Sequence, residues 1–321
     1  MFDLHEMGQE MGIPFEKAQM LQHKDGIMVA RVYAGGHSWI LKVYEKAEYR
    51  REIACYRLLN KMHVQTLHVI GYSDRALLLE DLQCSSTFRL AVQEDMSSPV
   101  IAEKLALWYR DLHTKGCSCV REYRDELYDE NKYFSAENIY AVRKQTDTAH
   151  LPVWTLLEEN METVLRVLRQ VKKTLVYNDF YYTNMAVNRN TAEALMFDYN
   201  LLGKGYAYAD LRNVVSSLSP EAGKAFLAAY GSYDPMEKML DDVISPVITL
   251  YFACRRAQFP NWAHAALEDM KTTYPEKLMQ FLTAAEGYLL SAQGQSGVLD
   301  GIGGIGSIFA CNQGRPSTDI I

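Results

Sequence analysis

The feature that most constrains the fold is a change in hydrophobic periodicity, from an alternating pattern near the start of the chain to a helical pattern later. Residues 27–33 (IMVARVY) and 38–44 (SWILKVY) both alternate and are separated by Ala-Gly-Gly-His. This combination predicts a β-hairpin. We expect an earlier strand over residues 17–23 and two later strands over 69–72 and 76–80, so that several strands form one sheet.

Apolar residues at helical spacing dominate most of the other segments. A helix over residues 47–62 is predicted between the strands, and a second one over 101–114, with Gly116 as its stop signal. Residues 153–172 predict another helix, and 219–292 have a helical pattern throughout. The chain is therefore predicted to be an α+β protein with a small β-rich N-terminal lobe and a larger helical C-terminal lobe.

The predicted domain organisation follows this change of pattern. Residues 1–82 are expected to form the N-terminal lobe and 83–293 the C-terminal lobe, with the cleft between them as the natural ligand site. Residues 294–321 are rich in glycine and show no strand or helix period, so we expect a loosely ordered tail.

Charge and cysteine usage exclude several classes of protein. The net charge is −7 and the sequence pI is about 5.7, which disfavours nucleic acid and anionic membranes as partners. No apolar run approaches the roughly 20 residues of a membrane span, and no signal peptide is visible. Six scattered cysteines favour a reduced, cytoplasmic protein over a disulfide scaffold. The sequence leaves the oligomeric state open.

Candidate functional side chains lie in and after a polar loop flanked by short apolar runs. Asp179 is followed five residues later by Asn184, and Asp198 stands at the end of the next apolar run. Magnesium prefers such carboxylate and amide oxygens. In the N-terminal lobe, Lys42 lies inside a predicted strand and Glu52 lies in the predicted helix that follows, with Glu48 as the alternative acidic partner.

Three segments together resemble a known family. Residues 175–184 (LVYNDFYYTN) resemble the loop H-G-D-x-x-x-x-N of the aminoglycoside phosphotransferase and choline kinase group, with Tyr177 in place of the histidine and Asn178 in place of the glycine. Residues 196–199 (MFDY) resemble its I-D-[FW]-E, and residues 205–211 resemble its G-x-x-x-x-D-L. The resemblance covers residues 26–214 and implies a protein-kinase-like bilobal fold.

The resemblance implies roles for the residues of the C-terminal lobe. Asp179 would be catalytic, accepting or orienting the proton of the substrate hydroxyl. Asn184 and Asp198 would bind Mg²⁺. Asp210 would brace the catalytic loop, and Tyr177 would support the same loop.

The resemblance also implies a nucleotide site in the N-terminal lobe. Lys42 would contact the phosphates of ATP, and Glu52 would position its ammonium group. Glu80 and Leu82 lie in the connection between the lobes, whose backbone would bind the adenine.

The function implied is ATP- and Mg²⁺-dependent transfer of the γ-phosphate to a hydroxyl of a small molecule. The aminoglycoside, amino alcohol and sugar classes all stay open as acceptors. The alternative is a catalytically silent, kinase-like binding protein, which the Tyr177-Asn178 pair motivates. A protein kinase is disfavoured because no A-P-E segment follows Asp198.

Overall fold

The computed structural model describes residues 3–123 and 127–300. After a short helix α1 (Leu4–Met11), five strands form one antiparallel sheet in the order β1-β2-β3-β5-β4. These strands are β1 (Lys17–Lys24), β2 (Ile27–Ala34), β3 (His37–Tyr44), β4 (Val69–Tyr72) and β5 (Ala76–Glu80). The five predicted strands are therefore all present, with small differences at their ends.

Helix α2 (Arg51–Lys61) crosses between β3 and β4 and follows a single 3-10 turn, Ala47–Arg50. It buries Ile53, Tyr56 and Leu59 against the sheet and against the following lobe. The prediction of one helix over 47–62 is correct in place, although its first turn is 3-10 rather than α.

The second lobe is mainly helical and contains two small sheets. Its helices are α3 (Pro99–Glu122), α4 (Ala136–Gln145), α5 (Pro152–Glu159), α6 (Met161–Gln170), α7 (Ala207–Val215), α8 (Pro220–Tyr230), α9 (Pro235–Cys254), α10 (His264–Lys271) and α11 (Tyr274–Asp300). Its strands are β6 (Phe88–Leu90), β7 (Thr174–Val176), β8 (Met185–Asn188), β9 (Ala194–Met196) and β10 (Gly203–Gly205). Strands β6, β8 and β9 pair in that order, and β7 pairs with β10.

None of the described helices combines the length and the apolar character needed to cross a membrane.

One hydrophobic cluster joins the two lobes. It includes Leu59 and Leu77 from the first lobe and Leu105, Tyr177 and Phe226 from the second. A smaller cluster lies on the outer face of the five-stranded sheet, and a third fills the space around α9 and α11. Because the first cluster is continuous, the strands that carry the candidate site are packed against one another.

Two sequence predictions about helices were wrong. The segment 153–172 forms two helices, because the chain breaks at Asn160 between α5 and α6. Helix α3 continues past Gly116 to Glu122. Helix α11 reaches Asp300 and so includes the first residues of the predicted loosely ordered tail, whereas residues 301–321 lie outside the described residues.

Gly116 does not end α3 because its role is close packing. A Cβ atom built on Gly116 would lie 2.6 Å from the backbone nitrogen of Leu175 and 2.6 Å from Oγ1 of Thr174. The hydroxyl of Thr174 also donates to the carbonyl of His113, at 2.5 Å. Glycine therefore lets α3 lie directly against β7, the strand that leads into the catalytic loop.

We predict that Gly116→Ala lowers the free energy of unfolding by about 1–3 kcal/mol, because the added methyl group overlaps backbone atoms. The matched control is Gly223→Ala in α8, where the nearest atom to the new Cβ is a methyl of Val215 at 3.5 Å. That change should be neutral or raise the free energy of unfolding by up to about 1 kcal/mol. Urea unfolding followed by circular dichroism compares the two, and equal effects would contradict the packing argument.

Candidate active site

Lys42 lies on the inner face of β3. Its neighbours Leu41 and Val43 pack into the cluster on the opposite face of the sheet, as the alternation of a strand requires. The Nζ atom of Lys42 lies 2.6 Å from Oε2 of Glu52 and 2.8 Å from Oδ1 of Asp198. Lys42 therefore connects a helix of the first lobe to the end of a strand in the second.

Glu52 is fully buried in the first turn of α2 and has several partners. Besides Lys42, its carboxylate accepts hydrogen bonds from the hydroxyl of Tyr44 at 2.7 Å and from the backbone N–H of Tyr199 at 3.2 Å. The competing residue Glu48 lies exposed in the 3-10 turn. The structure thus brings Glu52, and not Glu48, to Lys42.

The charge on Lys42 is maintained by its two carboxylate partners. Burial by itself would lower the pKa of the Lys42 ammonium, but Glu52 and Asp198 outweigh that effect and hold this pKa above its ordinary value. A buried cation of this kind is stabilised only while its partners stay in place.

Asp198 follows β9 directly and has an unusual backbone conformation. Its φ of +63° lies in the left-handed region, which is uncommon for residues other than glycine and is often found at functional sites. Its Oδ1 atom accepts from Lys42 and from Nδ2 of Asn200. The conformation turns the carboxylate away from the strand and into the cleft beside Lys42.

Asp179 and Asn184 meet within the catalytic loop. Nδ2 of Asn184 lies 3.3 Å from Oδ2 of Asp179 and donates to it, which leaves the Asn184 amide oxygen to face other ligands. Burial raises the pKa of the Asp179 carboxyl, and the nearby charge of Asp198 raises it further, although Lys42 and Asn184 act in the opposite direction. Asp179 is therefore a stronger proton acceptor than an ordinary exposed aspartate.

Asp210, near the start of α7, braces the loop. Its Oδ2 atom accepts from the backbone N–H of Tyr177 at 2.7 Å, and its Oδ1 atom accepts from that of Asn178 at 2.9 Å. It is almost fully buried and also contacts Nε2 of His113 at 3.0 Å. The other ring nitrogen of His113 bonds with the hydroxyl of Tyr230. Sequence reasoning missed Tyr230, which no motif marks.

The two departures from the family loop have local explanations. Asn178 has a φ of +67°, a conformation that glycine adopts freely and that asparagine tolerates better than most residues. Its amide also donates to the carbonyl of Leu201, at 2.9 Å. The hydroxyl of Tyr177 donates to the carbonyl of Phe197 at 2.5 Å, directly before Asp198. Tyr177 thus connects the loop of Asp179 to the strand end that carries Asp198.

The connection between the lobes is fixed by other polar contacts. The backbone N–H of Glu80 donates to the carbonyl of His68, and its carboxylate accepts from the N–H of the same residue. Asp81 is buried in an ion pair with Arg31, with Nε to Oδ2 at 2.5 Å. Leu82 is buried. The N–H of Glu80 is therefore already bonded, and the binding of adenine by Glu80 and Leu82 stays a prediction.

A cavity of about 430 Å³ opens beside the catalytic loop. Asn178 and Phe180, on either side of Asp179, line it, and so do Glu130 and Trp262. Burial raises the pKa of Glu130 to about 7. We call this space the acceptor-side cavity.

The acceptor-side cavity also contains an ion pair between a half-buried arginine and a buried aspartate. Nε of Arg212 donates to Oδ2 of Asp241 at 2.7 Å, and the hydroxyl of Tyr206 donates to Oδ1 of the same carboxylate. Sequence reasoning missed Glu130, Arg212 and Asp241, because none is a motif position and they come together only through the packing of the 3-10 turn Glu130–Tyr133, α7 and α9.

The donor set of the cleft fits a magnesium ion. The carboxylate of Asp198 and the amide oxygen of Asn184 are hard oxygen ligands, and the amide nitrogen of Asn184 already points away, toward Asp179. The described residues contain no cluster of three or more His, Cys, Asp or Glu side chains arranged for a metal. A site with two protein ligands suits Mg²⁺ that is shared with nucleotide phosphates.

Comparisons with known proteins agree with this geometry. Residues 25–239 match the sequence model of the family described as "Phosphotransferase enzyme family". No curated protein sequence matches the chain significantly.

Three solved structures are similar in fold. A macrolide 2′-phosphotransferase from Brachybacterium faecium shares 18% identity with a TM-score of 0.55, over 82% of this chain and 97% of that chain. A choline/ethanolamine kinase family protein from Mesorhizobium loti shares 14% identity with a TM-score of 0.52, over 83% and 92%. An AMP-bound spectinomycin phosphotransferase shares 11% identity with a TM-score of 0.50, over 88% and 93%.

We predict that Tyr177→Phe lowers the free energy of unfolding by about 1–2 kcal/mol, since it leaves the buried carbonyl of Phe197 without its donor. It should also reduce phosphoryl transfer, because the loop of Asp179 loses a contact with the strand end of Asp198.

The matched control is Tyr109→Phe. Tyr109 is also fully buried and packs edge-on to Tyr177, but its hydroxyl has no hydrogen-bond partner among the described residues. Removing that hydroxyl should be neutral or stabilising. Thermal unfolding of both variants is the measurement, and a larger loss in the Tyr109 variant would contradict the role given to Tyr177.

Proposed function

This chain belongs to the phosphotransferase enzyme family, and we propose that it transfers the γ-phosphate of ATP, in a Mg²⁺-dependent reaction, to a hydroxyl of a small molecule. The observation that carries the proposal is the convergence of Lys42, Asp198 and the Asp179–Asn184 pair from three separate segments of the chain. The AMP-bound phosphotransferase with a similar fold supports a nucleotide in this cleft.

In the proposed mechanism, Lys42 holds the phosphates while Glu52 fixes the position of its ammonium group. Asn184 and Asp198 would hold Mg²⁺, which neutralises charge on the phosphates when it is bound. Asp179 accepts a hydrogen bond from the acceptor hydroxyl and takes its proton as the new P–O bond forms. The bond between the γ-phosphorus and the bridging oxygen breaks in the same transfer, and ADP leaves; the raised pKa of Asp179 suits its task.

The acceptor-side cavity supports an amine-bearing acceptor, within the aminoglycoside or amino alcohol class, over an uncharged sugar. The positive charge of Arg212 is balanced by Asp241. Glu130 therefore supplies the remaining charge of the cavity lining. Its carboxylate is negative above its pKa of about 7. The aromatic faces of Phe180 and Trp262 also line the cavity and favour a cation. We also propose that the protein acts in the cytoplasm, because ATP is supplied there.

We predict that Asp179→Asn lowers kcat by about 10²–10⁴-fold while ATP affinity stays within a few-fold of the original, because the amide keeps the shape but cannot take a proton. ADP release in the presence of MgATP and a panel of aminoglycosides, amino alcohols and sugars measures kcat. Calorimetry measures ATP affinity.

The matched control is Asp74→Asn, an exposed aspartate in the turn between β4 and β5, which should leave both quantities unchanged. The alternative of a catalytically silent binding protein predicts ATP binding without acceptor-dependent ADP release by the original chain. Full turnover in the Asp179 variant would contradict the role of that residue.

A further inference from the structure

A second cavity of about 640 Å³ lies behind the 3-10 turn Glu130–Tyr133 and shares only Asn131 with the acceptor-side cavity. It is bordered by the end of α3, the end of α6 and the segment that enters β7. Six of its lining residues are basic: Arg121, Lys132, Arg169, Lys172, Lys173 and Lys204. We call it the basic cavity.

This concentration of positive charge runs against the composition of the chain, whose net charge is −7. Asp129 is the one carboxylate among the lining residues that the structure describes, and it pairs with Lys204 at 3.5 Å. Arg169 pairs with Glu162 outside the cavity. The field inside the basic cavity therefore favours an anion.

Lys173 is the most informative residue of the lining. Its Nζ atom is screened from solvent and has no hydrogen-bond partner within the described part of the chain. Its Nζ atom lies 5.6 Å from the centroid of the Tyr206 ring, and the negative charges of Asp129 and Glu237 also favour its charged form. Burial lowers the pKa of Lys173 to about 8. Burial of an ammonium group that has no hydrogen-bonded anion is unfavourable in free energy, and a bound anion that accepts a hydrogen bond from it would offset this cost.

Helix ends explain only part of this arrangement. Basic side chains at the C-terminal turns of α3 and α6 are favoured by the helix dipoles, which accounts for Arg121 and Arg169. Lys173 lies beyond the end of α6, and its Nζ atom is buried rather than directed to water. The helix dipoles therefore do not explain why the Nζ atom of Lys173 is buried.

The rest of the lining is partly apolar, with Asn131 and Gln170 as its uncharged polar residues. Val120, Leu168 and Val171 face the space between the basic side chains. A simple inorganic anion would use the charges but would leave this apolar surface exposed, whereas an anion with an apolar body would use both.

We propose that the basic cavity is a second ligand site, separate from the catalytic cleft, which binds a small organic anion with an apolar body. The anionic group of the ligand accepts a hydrogen bond from Nζ of Lys173, and the body packs on Val120 and Leu168. The site is independent of the proposed transferase reaction, because none of the residues assigned to nucleotide, metal or catalysis lines it.

The test uses an anilinonaphthalene sulfonate as the fluorescent probe and the neutral anilinonaphthalene as its uncharged counterpart. Both are titrated into the full chain without nucleotide, so that no second organic anion competes with the probe, and the variants below assign the binding to the basic cavity. We expect saturable binding of the sulfonate, and weaker binding of the neutral compound.

Two variants place the probe in the basic cavity. Lys173→Met keeps the length of the side chain but removes the charge, and it should raise the Kd of the sulfonate about tenfold or more. Leu168→Trp fills the space and should also weaken binding. Lys224→Met, on the exposed surface of α8, is the control and should leave the Kd unchanged.

Lys173→Met should also fold at least as stably as the original chain, since the ammonium it removes has no partner. Absence of saturable sulfonate binding would overturn the proposal. An unchanged Kd in both the Lys173 and the Leu168 variants would overturn it as well.

Discussion

The structure depends on a buried ion network that crosses the cleft. Lys42 bridges Glu52 on α2 and Asp198 at the end of β9, and Glu52 in turn accepts from the backbone N–H of Tyr199. Removing one partner of such a network leaves an uncompensated buried charge, at a cost of about 3–5 kcal/mol. Because these side chains are held by a sheet, a helix and a strand end, the network sets the relative position of the two lobes.

A second support holds the loop that contains Asp179. Asp210 accepts two backbone N–H groups of that loop, and the hydroxyl of Tyr177 joins it to the strand end before Asp198. Gly116 allows α3 to approach β7, so that His113 reaches Asp210 from the other side. The left-handed backbone at Asn178 and Asp198 is maintained by these contacts, which compensate for its local strain.

Much of this arrangement could be predicted from sequence, because short-range patterns determine it. Alternation identified the strands of the first lobe, and the spacing of Asp179, Asn184 and Asp198 identified the loop. The end of α3 could not be predicted, since Gly116 reads as a stop signal unless β7 is known to lie against it. The grouping of Glu130, Arg212 and Asp241 could not be predicted either, because no local pattern shows that their segments line one cavity.

Calorimetric titration of the full chain with ATP, with and without Mg²⁺, tests the central claim that Lys42 and Asp198 form a magnesium-dependent nucleotide site. We expect Mg²⁺ to strengthen ATP binding about tenfold or more, and Asp198→Ala to abolish that gain. Equal affinities with and without Mg²⁺, or a gain that survives in Asp198→Ala, would contradict the account.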